Sequence, residues 1–203
     1  MRANISGAAE RTPAIDPMPP VEYFVDEGSE LWVFGYGSLM WKPGFDAVES
    51  CKARLYGYHR RFCIYSFRHR GTPSKPGLVL GLDRGGSCHG MAFRVAADNV
   101  REVTENLWRR EMVSGVYRPI MTQIDLDGRR VLAGTFVADP RHRQYCAEHD
   151  PAILTELVAQ GVGESGENPE YLFNTVARLD ELGLRDRVLH DLAKRVRARL
   201  ASG

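Results

Sequence analysis

Read for the spacing of its apolar residues, the chain divides into a strand-rich first two thirds and a helical end. Residues 31–36 are a short apolar run that stops at glycines, the pattern of a buried strand. Alternating stretches rich in β-branched and aromatic residues follow at 53–58, 62–67, 78–83 and 89–95. Between the second and third of these lies Arg70-Gly-Thr-Pro-Ser-Lys-Pro-Gly77, a cluster of turn-formers that reads as a loop. Gly85-Gly86 has the composition of a hairpin turn, and Asp127-Gly128, between strands at 116–126 and 129–137, has a stronger one. Asn99 with Glu102 three residues on predicts a helix start, and the helix is expected to run to about Met112 and stop near Ser114-Gly115. Asp150-Pro151 and Asn168-Pro169 each pair an N-cap residue with a first-turn proline. Gly183 closes the second of these helices, and a basic final helix follows from about Asp186. Strands first and helices last predict an α+β fold with a largely antiparallel sheet.

Composition narrows the picture. The chain has 203 residues, 43% apolar and 26% charged, with a net charge of +1. That is enough chain for one domain with its own core, and a balance that calls for neither nucleic acid nor an anionic membrane. Residues 1–28, with Pro13, Pro17, Pro19 and Pro20 and few large apolar residues, are expected to be a flexible N-terminal segment; the single domain is expected over 29–203. Cys51, Cys63, Cys88 and Cys146 contain no Cys-x-x-Cys pair and read as reduced, mostly buried thiols. No apolar run approaches the ~18–20 residues of a membrane span, and the first residues lack the apolar core of a secretory signal, so the expectation is a cytoplasmic protein.

Two features carry chemistry. The first is the loop Gly35-Tyr-Gly-Ser-Leu39, where glycines leave backbone N–H groups available to an oxyanion or carboxylate. It is not a dinucleotide fingerprint, because Met40 stands where the third glycine belongs, and it lacks the Gly-Lys-Ser/Thr of a P-loop. Nor is it a nucleophile elbow, since Tyr36 and Met40 flank Ser38 where glycines are needed, so Ser38 reads as a hydrogen-bonding residue. The second is Glu111, which falls on the helical stripe of Val100, Val103 and Leu107. A carboxylate facing the way the apolar residues face has its pKa raised by burial and suits a general base. The structural alternatives are a helix end that has reached solvent, or a pairing with Arg109 or Arg110.

Weaker candidates are His142, Cys146 and His149, whose helix-like spacing for a metal is undercut by Asp139-Pro140. Arg54, Arg60, Arg61, Arg68 and Arg70 concentrate positive charge. Most of it is expected on a solvated strand face, with one arginine near the 70–77 loop able to grip a substrate carboxylate.

In order along the chain, Phe34-Gly-Tyr-Gly-Ser-Leu-Met-Trp-Lys-Pro-Gly-Phe45, Gly57-Tyr-His-Arg-Arg-Phe-Cys63, Gly85-Gly-Ser-Cys-His-Gly90, Leu107-Trp-Arg-Arg-Glu-Met112, Gly115-Val-Tyr-Arg-Pro119, Asn168-Pro-Glu-Tyr-Leu172 and Leu182-Gly-Leu-Arg-Asp186 resemble the ChaC-type γ-glutamylcyclotransferases. The resemblance covers about residues 31–192. It implies a small mixed β-barrel of the γ-glutamylcyclotransferase type with packed helices. The implied activity is conversion of glutathione to 5-oxoproline and cysteinylglycine, with no cofactor, no metal and no obligate protein partner. It carries γ-glutamyl binding to Phe34, Gly35, Tyr36, Gly37, Ser38 and Leu39, catalysis to Glu111, and pocket tyrosines to Tyr117, Tyr145 or Tyr171. A non-catalytic binding module is the alternative from another class, against which stands a buried acid that binding alone does not require.

Overall fold

The computed structural model describes residues 23–26 and 28–202. Five strands close into a barrel in the order β1 (Leu31–Gly35), β3 (Gly77–Val95), β2 (Glu49–Ser66), β4 (Tyr117–Leu126) and β5 (Arg129–Ala138). β1 runs antiparallel to β3, pairing Leu31 with Val95 and Gly35 with Met91, and parallel to β5, pairing Trp32 with Ala133. That one parallel contact closes the barrel and removes its open edges. β1 is covered on both faces, Trp32 and Phe34 lying in the main core and Leu31 and Val33 against α1, which explains the uniformly buried LWVFG run.

Two sequence expectations are corrected here. Gly85-Gly86 is not a turn. The strands at 53–58 and 62–67 are halves of β2, those at 78–83 and 89–95 are halves of β3, and the two long strands pair antiparallel along their length. Tyr56 faces Ser87 and Tyr58 faces Arg84, so Gly57 alone opposes the two glycines in a β-bulge. All three have positive φ, which is why glycine suits both a hairpin turn and this bend. At Asp127-Gly128, by contrast, the residues take φ of 55° and 92° and make the expected hairpin.

The second correction concerns helix caps. Helix α1 (Val100–Glu111) is entered through a 3₁₀ turn at Ala97–Asn99, and the Asn99 side chain caps nothing. Its buried face is Val100, Val103, Thr104, Leu107 and Trp108, the stripe the sequence shows. These residues pack with Leu31, Val33 and Phe136 of the barrel wall. Helix α2 (Pro151–Gln160) begins as expected, with Asp150 accepting from the Ala152 N–H. A two-stranded ribbon, β6 (Val162–Gly163) and β7 (Gly166–Glu167), leads to α3 (Asn168–Glu181). Asn168 lies inside this helix and Glu167 holds the cap position. The fully buried amide reaches back to β3 instead, accepting from Leu78 N–H and donating to Leu78 C=O, both at 2.7 Å. α4 (Arg187–Ala201) is capped by Asp186. Helices α2, α3 and α4 cover the β2–β3 side of the barrel through Leu172, Leu179 and Leu189.

Of the expected flexible segment, residues 1–22 and 27 lie outside the described residues, while Phe24 is buried in the α1 cluster. No described helix is long and apolar enough to cross a membrane.

Candidate active site

Where β1 ends, the chain passes through Tyr36 and Gly37 into a 3₁₀ turn, Ser38–Met40. Glycine is needed at 35 for room: a Cβ there would stand 3.0 Å from that of Leu39, which folds back over it. The turn is tied down from behind. Thr135 of β5 donates to Phe34 C=O at 2.9 Å, and the buried Arg60 guanidinium donates to Tyr36 C=O. Arg60 also reaches His89 C=O at 2.7 Å and the Asp186 carboxylate at 2.8 Å. One buried arginine therefore links the substrate-loop candidate to β3 and to the cap of α4.

For Arg60 and Arg61 this overturns the expectation of a solvated face, while Arg68 is exposed and Arg54 and Arg70 are half-buried. Arg60 and Arg61 are 2% and 4% exposed. Successive strand residues point to opposite faces, and β2 is covered on both. Arg61 therefore pairs with Asp83 and with the Cys146 and Glu148 carbonyls on the other side. Tyr145, offered as a pocket tyrosine, is held there too, its hydroxyl donating to Asp83 at 2.9 Å. It does not line the cavity at the loop.

That cavity, of about 70 Å³, is walled by Tyr36, Gly37, Ser38, Leu39, Leu80, Glu111, Tyr117, Phe136 and Tyr171. The structure thus gathers Glu111, the loop and two of the three candidate tyrosines into one place from β1, α1, β4 and α3. Phe34, offered as a contact residue, is fully buried in the barrel core and does not line it. Leu80 and Phe136 do, and the sequence reading passed over both. The alternation of Leu78, Leu80 and Leu82 was the available signal for an inward-facing residue. A larger hollow of about 1080 Å³ lies between β2 and α4, walled largely by arginine, histidine and aliphatic side chains. It contains neither Glu111 nor the loop, so size is a poor guide to the chemistry.

Leu80 positions two phenols with one residue's backbone. Its C=O accepts from Tyr117 Oη at 2.6 Å, and its N–H supports Tyr171. Burial raises Tyr117 and Tyr36 well above the ordinary tyrosine range, with Tyr171 and Glu111 adding to it at Tyr117 and Tyr117 and Glu111 adding to it at Tyr36, and pushes Tyr171 up to about 12. All three are therefore neutral hydroxyls at physiological pH. The Glu111 side chain keeps 18% of its exposure at the end of α1. Burial raises its pKa, while the Arg110 guanidinium, 3.2 Å away, works against that rise. The net effect is a carboxyl whose pKa stands above the ordinary carboxylate range, next to a wall of neutral hydroxyls, the arrangement of a base beside hydrogen-bond partners.

Residues 31–199 match the sequence model of the family described as ChaC-like protein. This chain belongs to the ChaC-like family. Among its relatives, the "Glutathione-specific gamma-glutamylcyclotransferase" of Escherichia coli (strain K12) is 42% identical over 177 residues, spanning 87% of this chain and 76% of that one. The "Glutathione-specific gamma-glutamylcyclotransferase 1" of Homo sapiens is 34% identical over 175 residues, or 81% and 78% of the two chains. Among solved structures, a yeast γ-glutamyl cyclotransferase specific to glutathione superposes with a TM-score of 0.75 over 84% of this chain and 96% of its own. At 22% identity that likeness speaks for the fold alone, and the fold is the ChaC-like barrel the motifs implied.

Proposed function

We propose that this protein is a γ-glutamylcyclotransferase that converts glutathione to 5-oxoproline and cysteinylglycine. The observation that carries the reading is the meeting of Glu111 with the Tyr36–Leu39 loop in one cavity. The reaction closes a five-membered lactam inside the substrate: the α-amine attacks the γ-carbonyl, and the bond to the cysteinyl nitrogen breaks. Because the nucleophile belongs to the substrate, Ser38 has no acyl-forming part to play. Two protons leave the α-ammonium nitrogen, one before attack and one as the ring closes, and with Glu111 as their carrier both end on the departing cysteinyl nitrogen, so protons balance and no water is consumed. Such a positioned acid/base is worth ~10²–10⁴-fold.

The tetrahedral intermediate carries an oxyanion, for which the backbone N–H groups at Gly37–Leu39 are the donors. The first N–H groups of a helical turn have no partner within it, which suits them to this part. Tyr36, Tyr117 and Tyr171, all neutral, hold the γ-glutamyl head so that the folded, ring-closing conformer is populated. Nothing in this scheme calls for a metal or an organic cofactor. The cytoplasm, where thiols are kept reduced, is the compartment it suits, and all four cysteines are unpaired.

A substrate panel tests the assignment. Purified protein is expected to release 5-oxoproline from glutathione with a kcat/KM well above that for γ-glutamyl dipeptides lacking the cysteinylglycine part. Equal or faster turnover of those dipeptides would keep the mechanism and reject glutathione as the substrate.

A further inference from the structure

Arg110 precedes the carboxylate at the end of α1 and does not itself line the cavity. Its guanidinium nevertheless touches both of the chemically active walls. Nε pairs with Glu111 at 3.2 Å, and Nη2 donates to Ser38 Oγ at 2.6 Å. Nη1 donates to the carbonyls of Lys42 at 2.8 Å and Pro43 at 3.3 Å, just after the 3₁₀ turn. All three nitrogens of the fork are engaged, and the contacts join α1 to the loop.

A serine hydroxyl has one hydrogen to give and two lone pairs to receive. With a cation occupying one lone pair and holding the oxygen, Ser38 has its hydrogen and only one lone pair left, which favours donation toward the cavity it lines. The same cation lies against Glu111, where it favours the ionised, accepting form. The other titratable groups facing Glu111 are Tyr36 from the end of β1, Tyr117 from β4 and Tyr171 from α3, all neutral phenols. Arg110 is therefore the charge that decides which way hydrogen bonds run at each end of the cavity.

We propose that Arg110 is a positioning residue that sets the polarity of the site, making Ser38 a donor to the substrate's carboxylate or developing oxyanion and Glu111 an acceptor for its ammonium. The proposal rests on the γ-glutamyl reading above. It also explains how one small cavity favours one orientation of the head group: reversed, the substrate carboxylate would face that of Glu111.

The test is kcat/KM against pH for wild type, Arg110→Met and Arg110→Lys, with circular dichroism to establish folding. Without the cation, burial acts on Glu111 unopposed and its pKa rises, so less base is ionised at a given pH. Arg110→Met is expected to lose roughly tenfold or more at neutral pH, the scale of a lost charged hydrogen bond. Its acid limb moves to higher pH, and the deficit shrinks as pH rises. Arg110→Lys keeps the limb near that of wild type but raises KM, because a point charge cannot hold Ser38 and Glu111 together. Equal losses at every pH, with the limb unmoved, would mean Arg110 only pins the loop and would overturn the proposal.

A measurement independent of turnover is the ¹³C NMR titration of the Glu111 carboxyl in ligand-free protein, assigned with Glu111→Gln. Its midpoint is expected to rise in Arg110→Met, or in Arg110→Gln should the methionine variant not fold; an unchanged midpoint overturns the proposal. A midpoint that moves in a protein that turns over no γ-glutamyl compound would reject the function while leaving Arg110's control of Glu111 standing.

Discussion

At Glu111 burial and the Arg110 charge pull against each other. A carboxyl whose pKa is raised by folding favours the native state while protonated, and that contribution is lost as pH rises through the folded value. As pH rises through that value the wild-type protein takes on a partly desolvated charge that Glu111→Gln does not. The variant is expected to melt at a higher temperature than wild type at pH 7. The difference should shrink as pH falls toward the unfolded carboxyl value of about 4.3. A thermal melt series of both proteins from pH 4 to 8 checks the sign; a variant less stable than wild type at pH 7 would mean the Arg110 pair outweighs desolvation. Asp83 is the counterexample. Burial pushes it up too, but the hydrogen bonds from Tyr145 and the Arg84 N–H, with the Arg61 charge, outweigh that and hold it below the ordinary carboxylate range. Its contribution is present above the unfolded pKa and fades as pH falls through the folded one, the opposite sign to Glu111.

Among elements, the C-terminal helices are joined to the site by Asp186. It caps α4, accepting from the Leu189 N–H, and neutralises Arg60, which holds the Tyr36 carbonyl. Asp186→Ala is expected to cost about 3–5 kcal/mol, the scale for leaving a buried charge without its partner. Asp186→Asn, which keeps the cap, should recover only the cap's share, about 0.5–2 kcal/mol. Urea denaturation measures both; a loss under 1 kcal/mol in the alanine variant would show that Arg60 finds another partner.

These elements also show how far the sequence carries. Local signals were legible at Asp150-Pro151, at Asp127-Gly128 and along the stripe that placed Glu111, though the Asn99 side chain caps nothing. Errors arose where a distant partner decides. Gly85-Gly86 bends a strand instead of turning it because β2 lies alongside. Asn168 leaves the cap because Leu78 offers it a buried peptide to bind. Arg60 and Arg61 are inside because Asp186 and Asp83, 126 and 22 residues away, meet them there. The loop and Glu111 stand out in the sequence as candidates; that Leu80 and Phe136 share their cavity, and that Arg110 touches both, does not, because barrel closure brings them together.

At the scale of the molecule, the barrel holds the loop at the end of one strand while α1, β4 and α3 bring Glu111, Tyr117 and Tyr171 to it. This arrangement makes the claim direct to test: glutathione is cyclised in that cavity, and Glu111 moves the proton. Purified wild-type protein and Glu111→Gln should be incubated with glutathione while 5-oxoproline and cysteinylglycine are both quantified. The account predicts equal amounts of the two products from wild type and a rate at least about a hundredfold lower from the variant. Glutamate in place of 5-oxoproline, or a variant that retains wild-type activity, would contradict it.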